Sequence, residues 1–139
     1  MPVQSSSFEL NTQGFTDVKD VTRDVQDILS KSKISDGLLT VFVPGSTAGV
    51  TTIEYESGAI SDLRSAVERL LPSGIPYAHD TRWGDGNGFA HVRAALLGPS
   101  LTVPFSRHKL SLGTWQQIVV VDFDNRPRTR SVCVQVVGE

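Results

Sequence analysis

The stretch QQIVVVDFDNRPRTRSVCVQVV, Gln116 to Val137, decides the fold class of this 139-residue chain. It holds two apolar segments separated by the turn residues Asn125–Pro127. In the second segment Val132, Val134 and Val136 recur at every other position, which is the period of a strand with one buried face. Two further short segments, LTVPF and KLSL, precede the stretch and have the same character. We therefore predict an antiparallel, β-rich C-terminal half.

The N-terminal half contains three more candidate strands. Ser5–Thr12 alternates loosely and predicts a first strand. LLTVFVP (Leu38–Pro44) and VTTIEY (Val50–Tyr55) flank the turn GSTAG, and we predict that they pair as a hairpin.

Three segments have the apolar spacing of amphipathic helices. The first follows Thr16, its predicted N-cap, and places five apolar residues on one face: Val18, Val21, Val25, Ile28 and Leu29. The second carries Ile60, Leu63, Val67 and Leu70 and ends at Pro72. The third is FAHVRAALLG, which ends at Gly98. Because strands and helices come before a β-rich half and do not alternate throughout, we predict an α+β fold with a single domain over residues 1–139.

Composition excludes several classes of function. The formal net charge is -2, which gives no general attraction to nucleic acid or to an anionic membrane. No apolar run approaches the roughly 20 residues of a membrane span, and the N-terminal residues do not have the pattern of a signal peptide. Cys133 is the one cysteine, so no internal disulfide forms. We expect a cytoplasmic protein.

The segment YAHDTRWGDGNGFAH, Tyr77 to His91, concentrates titratable side chains. If its glycine-rich middle folds back, His79 and His91 approach each other, and Asp80 and Asp85 add oxygen ligands. Imidazole is a common metal ligand and a natural acid–base group near neutral pH. The spacing matches no zinc motif with fixed intervals, so histidines that cap turns or pair with the aspartates are an equal alternative.

Two turns have the composition of anion sites. GDGNG (Gly84–Gly88) opens a predicted helix, where backbone N–H groups favour a phosphate, although a tight turn needing positive φ is the simpler explanation. GSTAGVTT (Gly45–Thr52) is rich in hydroxyl groups, which can bind phosphate, although most such turns only reverse the chain. Arg126, Arg128 and Arg130 could bind phosphate or form a solvated face.

Two further features depend on predicted strands. Glu54 and Glu56 alternate on one predicted strand and would share a face, which is either solvated or able to bind Mg²⁺. In LGTWQQ, Trp115 is either a core residue or a stacking platform for a flat heterocycle. His108 lies in a basic turn and is expected to be exposed.

Two long segments, TRWGDGNGFAHVRAALLGPSLTVPF and LGTWQQIVVVDFDNRPRTRSVCVQVVG, resemble the YjbQ family of small bacterial and archaeal proteins. Residue by residue, His79, Asn87 and His91 match the family's H…N…A-H positions, and Gly113–Gln116 match its L-G-T-W-Q turn. Gly45 stands where the family usually has a histidine. Of the family's N-E-N motif only the acid, Glu54, is kept.

The resemblance implies an α+β antiparallel sandwich, a homotrimer and a secondary thiamine-phosphate synthase activity. That reaction joins hydroxymethylpyrimidine pyrophosphate to a thiazole phosphate and releases pyrophosphate. The expected partner is therefore a small phosphorylated metabolite, not nucleic acid or membrane. The alternative is a non-catalytic module that binds a phosphorylated metabolite or a metal ion, and the replacement of the family histidine by Gly45 favours it.

Together, the resemblance and the residue chemistry imply three sets of site residues. Catalysis is expected from His79, His91 and Asp80. A larger set is expected to bind substrate: Gly86, Asn87, Gly88, Thr114, Trp115, Gln116 and Arg128. A divalent metal, Mg or Zn, is expected at His79, His91 and Glu54.

Overall fold

A computed structural model describes residues 1–139, which form eight strands and four helices. In chain order these are β1 (Val3–Thr12), β2 (Asp17–Asp20), α1 (Thr22–Ser30), β3 (Gly37–Phe42), β4 (Ala48–Ile53), α2 (Ser57–Leu70), α3 (Ala78–Trp83), α4 (Gly88–Leu97), β5 (Ser100–Ser106), β6 (Lys109–Leu110), β7 (Gln117–Asp122) and β8 (Arg128–Gly138).

The strands form two antiparallel sheets. The larger sheet has the order β1-β8-β3-β5-β6 and the smaller has the order β2-β7-β4. Apolar side chains of both sheets and of α1 form the main core, and α2 and α4 pack on the other side of the smaller sheet. The predicted α+β class with packed antiparallel sheets is confirmed.

The burial of strand β7 explains why the first segment of the stretch from Gln116 to Val137 is continuously apolar. Ile118 and Val120 belong to the main core, whereas Val119 and Val121 belong to the second cluster beneath α2 and α4. A strand that is buried on both faces has no solvent side on which polar residues would alternate. β7 therefore lies in the middle layer of the fold, between the main core and the helices α2 and α4.

Strand β8 is covered on one face only, which explains its alternation. Val132, Val134 and Val136 are at most 1% exposed. Ser131 and Gln135, on the opposite face, are exposed. The period of two in the sequence thus reports the single buried face of the larger sheet.

The first helix begins later than its apolar spacing predicts. Asp17–Asp20 form β2, which pairs with β7, and Thr16 has a φ of +62° and does not cap a helix. The helix starts at Thr22, whose backbone N–H and hydroxyl both donate to the Asp20 carboxylate, at 3.0 and 2.7 Å. The prediction placed Val18 on the helix because a short strand followed by a helix can mimic helical spacing.

The predicted hairpin of β3 and β4 is wrong. β3 lies between β8 and β5, and β4 pairs with β7 in the other sheet. The connection Val43–Thr47 crosses from one sheet to the other. The turn Asn125–Pro127 likewise joins strands of different sheets.

The prediction that Glu54 and Glu56 share one face of a strand is also wrong, because β4 ends at Ile53. Glu56 is instead the N-cap of α2 and accepts hydrogen bonds from the N–H groups of Gly58 and Ala59. The amides of Ala59 and Gly58 lower the pKa of the Glu56 carboxyl. A capping interaction therefore removes Glu56 from the strand pattern. None of the four helices combines the length and apolar character that a membrane crossing requires.

Candidate functional site

Two helices joined by a glycine turn bring His79 and His91 together. His79 lies on α3, and His91 is the fourth residue of α4. Gly84 and Gly86, with φ of +67° and +63°, allow the connection to reverse within four residues. The imidazole centroids are 4.1 Å apart, with ring planes inclined by 34°.

Two carboxylates of the same segment fix this reversal. Asp80 Oδ1 accepts a hydrogen bond from the Gly88 N–H at 2.8 Å, which ties the start of α4 to α3. Asp85 Oδ1 accepts from the Asn87 N–H at 3.2 Å. Gly88 is required here because a Cβ would lie 2.5 Å from the Tyr77 Cβ. Part of the predicted anion cradle is therefore already occupied by the chain's own carboxylates.

His79, Asp85 and His91 together have the geometry of a metal site. One ligand atom from each lies within 4.8 Å of the others. His79 Nδ1 is enclosed and has no hydrogen-bond partner, although Asp85 Oδ1 is 3.4 Å away. An enclosed polar atom without a partner is costly, so its position fits a metal ion or a shared proton. Two imidazoles and one carboxylate match the ligand set of a catalytic zinc site with an open position.

The protonation state of His91 suits metal binding. Burial lowers the pKa of His91, and the neighbouring His79 lowers it further. Three carboxylates raise this pKa, but by less than burial and His79 lower it; they belong to Asp85, Asp124 and Asp80. The imidazole is therefore neutral at pH 7, and its lone pair is available to a ligand.

Asp124 is a fully buried carboxylate near the histidines. Its Oδ2 accepts hydrogen bonds from the Thr47 hydroxyl at 2.8 Å and from Arg128 Nε and Nη2 at 3.1 and 3.0 Å. Burial raises the pKa of Asp124, but the hydrogen bonds from Thr47 and Arg128 lower it by more. Its Oδ1 is enclosed and unpaired. Asp124 is thus ionised, held in place, and close enough for its charge to act on His91.

A second buried ion pair extends this network. Arg130 donates from Nε and Nη2 to the two oxygens of Asp122, at 2.7 and 3.0 Å. Nη2 also donates to the Thr47 hydroxyl at 2.7 Å. Sequence analysis missed Asp122 and Asp124, and it included Thr47 only as one residue of a hydroxyl-rich turn. The available signal was the pair of acidic residues at the end of an apolar strand, since carboxylates in such a position are buried only with partners.

Asn87 lies within this region, but its side chain has a structural partner. It is buried, and its Oδ1 accepts a hydrogen bond from the Asn125 N–H at 3.1 Å. The Asn125 side chain in turn donates to the Asp85 carbonyl at 2.9 Å. These bonds tie the histidine segment to the turn after β7.

The structure does not bring Glu54 or the 113–116 turn to the histidines. In the β4–β7 pair, Ala48 opposes Asp122 near the site, and Ile53 opposes Gln117 at the far end. Along the strand, Ala48 and Ile53 are therefore about 17 Å apart. Trp115 is 72% exposed, and Gln116 bonds to Thr52 within its own end of the sheet. Asp85, not Glu54, is the carboxylate that accompanies the histidines.

Comparison with known proteins gives one consistent family. The family model for UPF0047 protein YjbQ-like matches residues 6–139. A UPF0047 protein of Archaeoglobus fulgidus is 38% identical over 128 residues, which are 92% of this chain and 97% of that protein. A UPF0047 protein of Mycobacterium bovis is 44% identical over 102 residues, which are 73% of this chain and 78% of that protein.

Solved structures of YjbQ-like proteins have the same fold as this chain. The crystal structure of a YbjQ-like protein from Sulfolobus solfataricus superposes with a TM-score of 0.93 at 30% identity, covering 99% of each chain. A yjbq/upf0047 family protein from Clostridium acetobutylicum gives a TM-score of 0.86 at 32% identity, covering 95% of this chain and 99% of that one.

Proposed function

The chain belongs to the YjbQ-like UPF0047 family. From that premise we propose that it binds one divalent metal ion, with a preference for Zn²⁺, and acts on a small phosphorylated metabolite. The observation that carries the proposal is the cluster of His79, Asp85 and His91, with one imidazole nitrogen enclosed and unpaired. The activity that fits the family resemblance is of the thiamine-phosphate synthase type.

The donor atoms favour zinc over magnesium. Mg²⁺ prefers six oxygen ligands, whereas two imidazole nitrogens and a carboxylate suit Zn²⁺. Three protein ligands leave a position for a water molecule or a substrate oxygen. When bound, such an ion would supply a Lewis acid for the oxygens of a phosphate or pyrophosphate group.

The chain's own residues have separate tasks in this proposal. An imidazole nitrogen that holds a metal has its lone pair engaged, so that nitrogen does not also act as a general base. Asp80 positions His91 relative to His79 by tying the start of α4 to α3. Arg128, whose side chain is 35% exposed while anchored on Asp124, offers positive charge to an anionic ligand. Asp124 holds that guanidinium and acts electrostatically on His91.

The second candidate is a binding module without turnover. It is favoured by the distance of Trp115 and Glu54 from the histidines and by Gly45 in place of the family histidine. A homotrimer in the cytoplasm is part of both proposals. Exposed apolar side chains such as Leu70 and Leu96, at 78% and 72% exposure, support self-association, which light scattering would measure.

The test begins with metal-free protein prepared with a chelator. Zinc is then titrated in competition with a chromophoric chelator, using wild type, His91→Ala and His108→Ala. His108 is the third histidine of the chain and lies outside the cluster, so its variant is the matched control. We expect one zinc per chain in wild type and in His108→Ala. His91→Ala should bind more than about 100-fold weaker, since even partners beyond the ligands contribute 10–100-fold. Equal affinity in His91→Ala would refute the metal site.

A second arm separates enzyme from binding module. The same proteins, with and without zinc, are given the pyrimidine pyrophosphate and the thiazole phosphate, and released pyrophosphate is measured. Turnover that disappears in His91→Ala supports the enzyme. Zinc binding without turnover supports the module.

A further inference from the structure

The turn between β3 and β4 has three consecutive backbone donors without a partner in the chain. Gly45, Ser46 and Thr47 follow the end of β3, and none of their N–H groups takes part in a backbone hydrogen bond. Gly45 and Ser46 are exposed, and Gly45 has a φ of +121°. Backbone N–H groups are strong donors that are nearly always paired, so those of Gly45 and Ser46 are available to water or to a ligand. Thr47 is 4% exposed, and its N–H adds a third donor without a partner in the chain.

A buried guanidinium borders this turn. Arg130 is 8% exposed, and its Nε and Nη2 are taken by Asp122 and Thr47. Its Nη1 makes no hydrogen bond within the chain. Nη1 also lies 3.0 Å from the position that a Cβ on Gly45 would take, and no other atom beyond Gly45 and its two chain neighbours lies within 4 Å of that position. The space beside Gly45 is therefore open and faces a charged donor that is already held in place.

From this arrangement we infer that Nη1 of Arg130 and the amides of Gly45–Thr47 form an oxyanion subsite for the phosphate group of the ligand. The inference rests on the proposed function and adds to it the place of the phosphate. Consecutive amides in a turn form a concave anion site, and guanidinium donors match the geometry of phosphate oxygens. Because Asp122 holds Arg130, little side-chain freedom is lost on binding.

The subsite is connected to the metal cluster through two side chains. The Thr47 hydroxyl accepts from Arg130 Nη2 and donates to Asp124 Oδ2. The charge of Asp124 acts on His91. A phosphate monoester or diphosphate held by Arg130 would thus be linked to the metal ligands through Thr47 and Asp124.

Charge balance predicts modest affinity for the anion alone. The two carboxylates Asp122 and Asp124 offset the two guanidiniums of Arg128 and Arg130. Attraction therefore comes from the free N–H donors and not from net positive charge. We expect millimolar binding of inorganic phosphate by metal-free protein.

The experiment titrates inorganic phosphate into metal-free, ¹⁵N-labelled full-length chain and follows amide and arginine Nε–H signals at constant ionic strength. In wild type we expect saturable shifts at Gly45–Thr47 and at Arg130. Gly45→Ala places a methyl group beside Nη1 and should weaken binding by about tenfold or more, as expected for one lost hydrogen bond to a charged group. Gly98→Ala is the matched control, because Gly98 also has a positive φ, +92°, and nothing lies within 4 Å of its Cβ position.

A wild-type titration without saturable shifts at Gly45–Thr47 would overturn the subsite, as would equal affinity in Gly45→Ala. Shifts confined to Gly84–Gly88 would also overturn it and move the anion to the other glycine turn. Zinc titration of the same samples keeps the two proposals apart. Zinc binding without phosphate binding refutes only the subsite, and phosphate binding without zinc binding refutes only the metal site.

Discussion

Replacing Asp122 with asparagine should strongly destabilise the fold, because this carboxylate is the buried partner of Arg130. Asp122 is fully buried, and its two oxygens accept four hydrogen bonds. The donors are Arg130 Nε and Nη2, the Thr12 hydroxyl at 2.5 Å and the Asp124 N–H at 3.0 Å. An asparagine has one acceptor oxygen and no charge, so it cannot satisfy all four donors.

The magnitude follows from what remains around Arg130. Without Asp122, its nearest carboxylate oxygen is Asp124 Oδ2, 3.9 Å from Nη2. Breaking one partner of a buried ion pair costs about 3–5 kcal/mol. For a chain of this size, 1 kcal/mol corresponds to roughly 2–4 °C, so we expect the Tm to fall by about 6–20 °C.

The assay is thermal and urea denaturation followed by circular dichroism, with a double-mutant cycle. The cycle uses Asp122→Asn, Arg130→Met and the double variant, which should lose less stability than the sum of the single variants. Asp27→Asn, at an exposed position on α1, is the control and should stay within about 0.5 kcal/mol of wild type. An Asp122→Asn protein as stable as Asp27→Asn, or strict additivity in the cycle, would refute the argument.

Two further predictions concern other parts of the fold. Gly49→Ala should cost about 1–3 kcal/mol, because its Cβ would lie 2.8 Å from the Gly98 carbonyl, whereas Gly74→Ala should be nearly neutral in the same urea titration. The Ser73 N–H and Arg93 lower the pKa of Glu68, so the Glu68 carboxylate stabilises the fold above its ordinary value of 4.5, and this stability is lost as the pH falls through the lower folded-state pKa. Glu68→Gln should remove that loss, and equal acid dependence in both proteins, measured by urea denaturation from pH 7 to pH 3, would contradict it.

Periodicity could predict those elements that bury only one face. The strand β8 and the helix α2 have such a face, and both lie where their spacing predicts. Periodicity failed at Val18, because β2 and the start of α1 together mimic a helical stripe. It also failed for the hairpin of β3 and β4, because proximity in sequence does not reveal that two neighbouring strands belong to different sheets.

In the candidate site, too, the sequence predicts contacts within one segment better than contacts between distant segments. His79, Asp85 and His91 lie within one segment, so the sequence could indicate their approach on the condition that the glycines between them reverse the chain, as Gly84 and Gly86 do. Thr47 and Arg130 are 83 residues apart, and only the packing of the two sheets brings them together. Trp115 and Glu54 were assigned to the site by chemistry, but sheet register places them at the far end of β7.

The position of β8 has a consequence for how this domain is made. Its neighbours in the larger sheet are β1 and β3, so an interior strand of that sheet is the last of its strands to be synthesised. Until it emerges from the ribosome, β1 has no partner, and one edge of β3 remains open to other chains. Pairings between residues as distant as Val3 and Val137 are slow to form. Incomplete chains therefore expose strand edges that aggregate, and slower synthesis at lower temperature should increase the yield of folded protein.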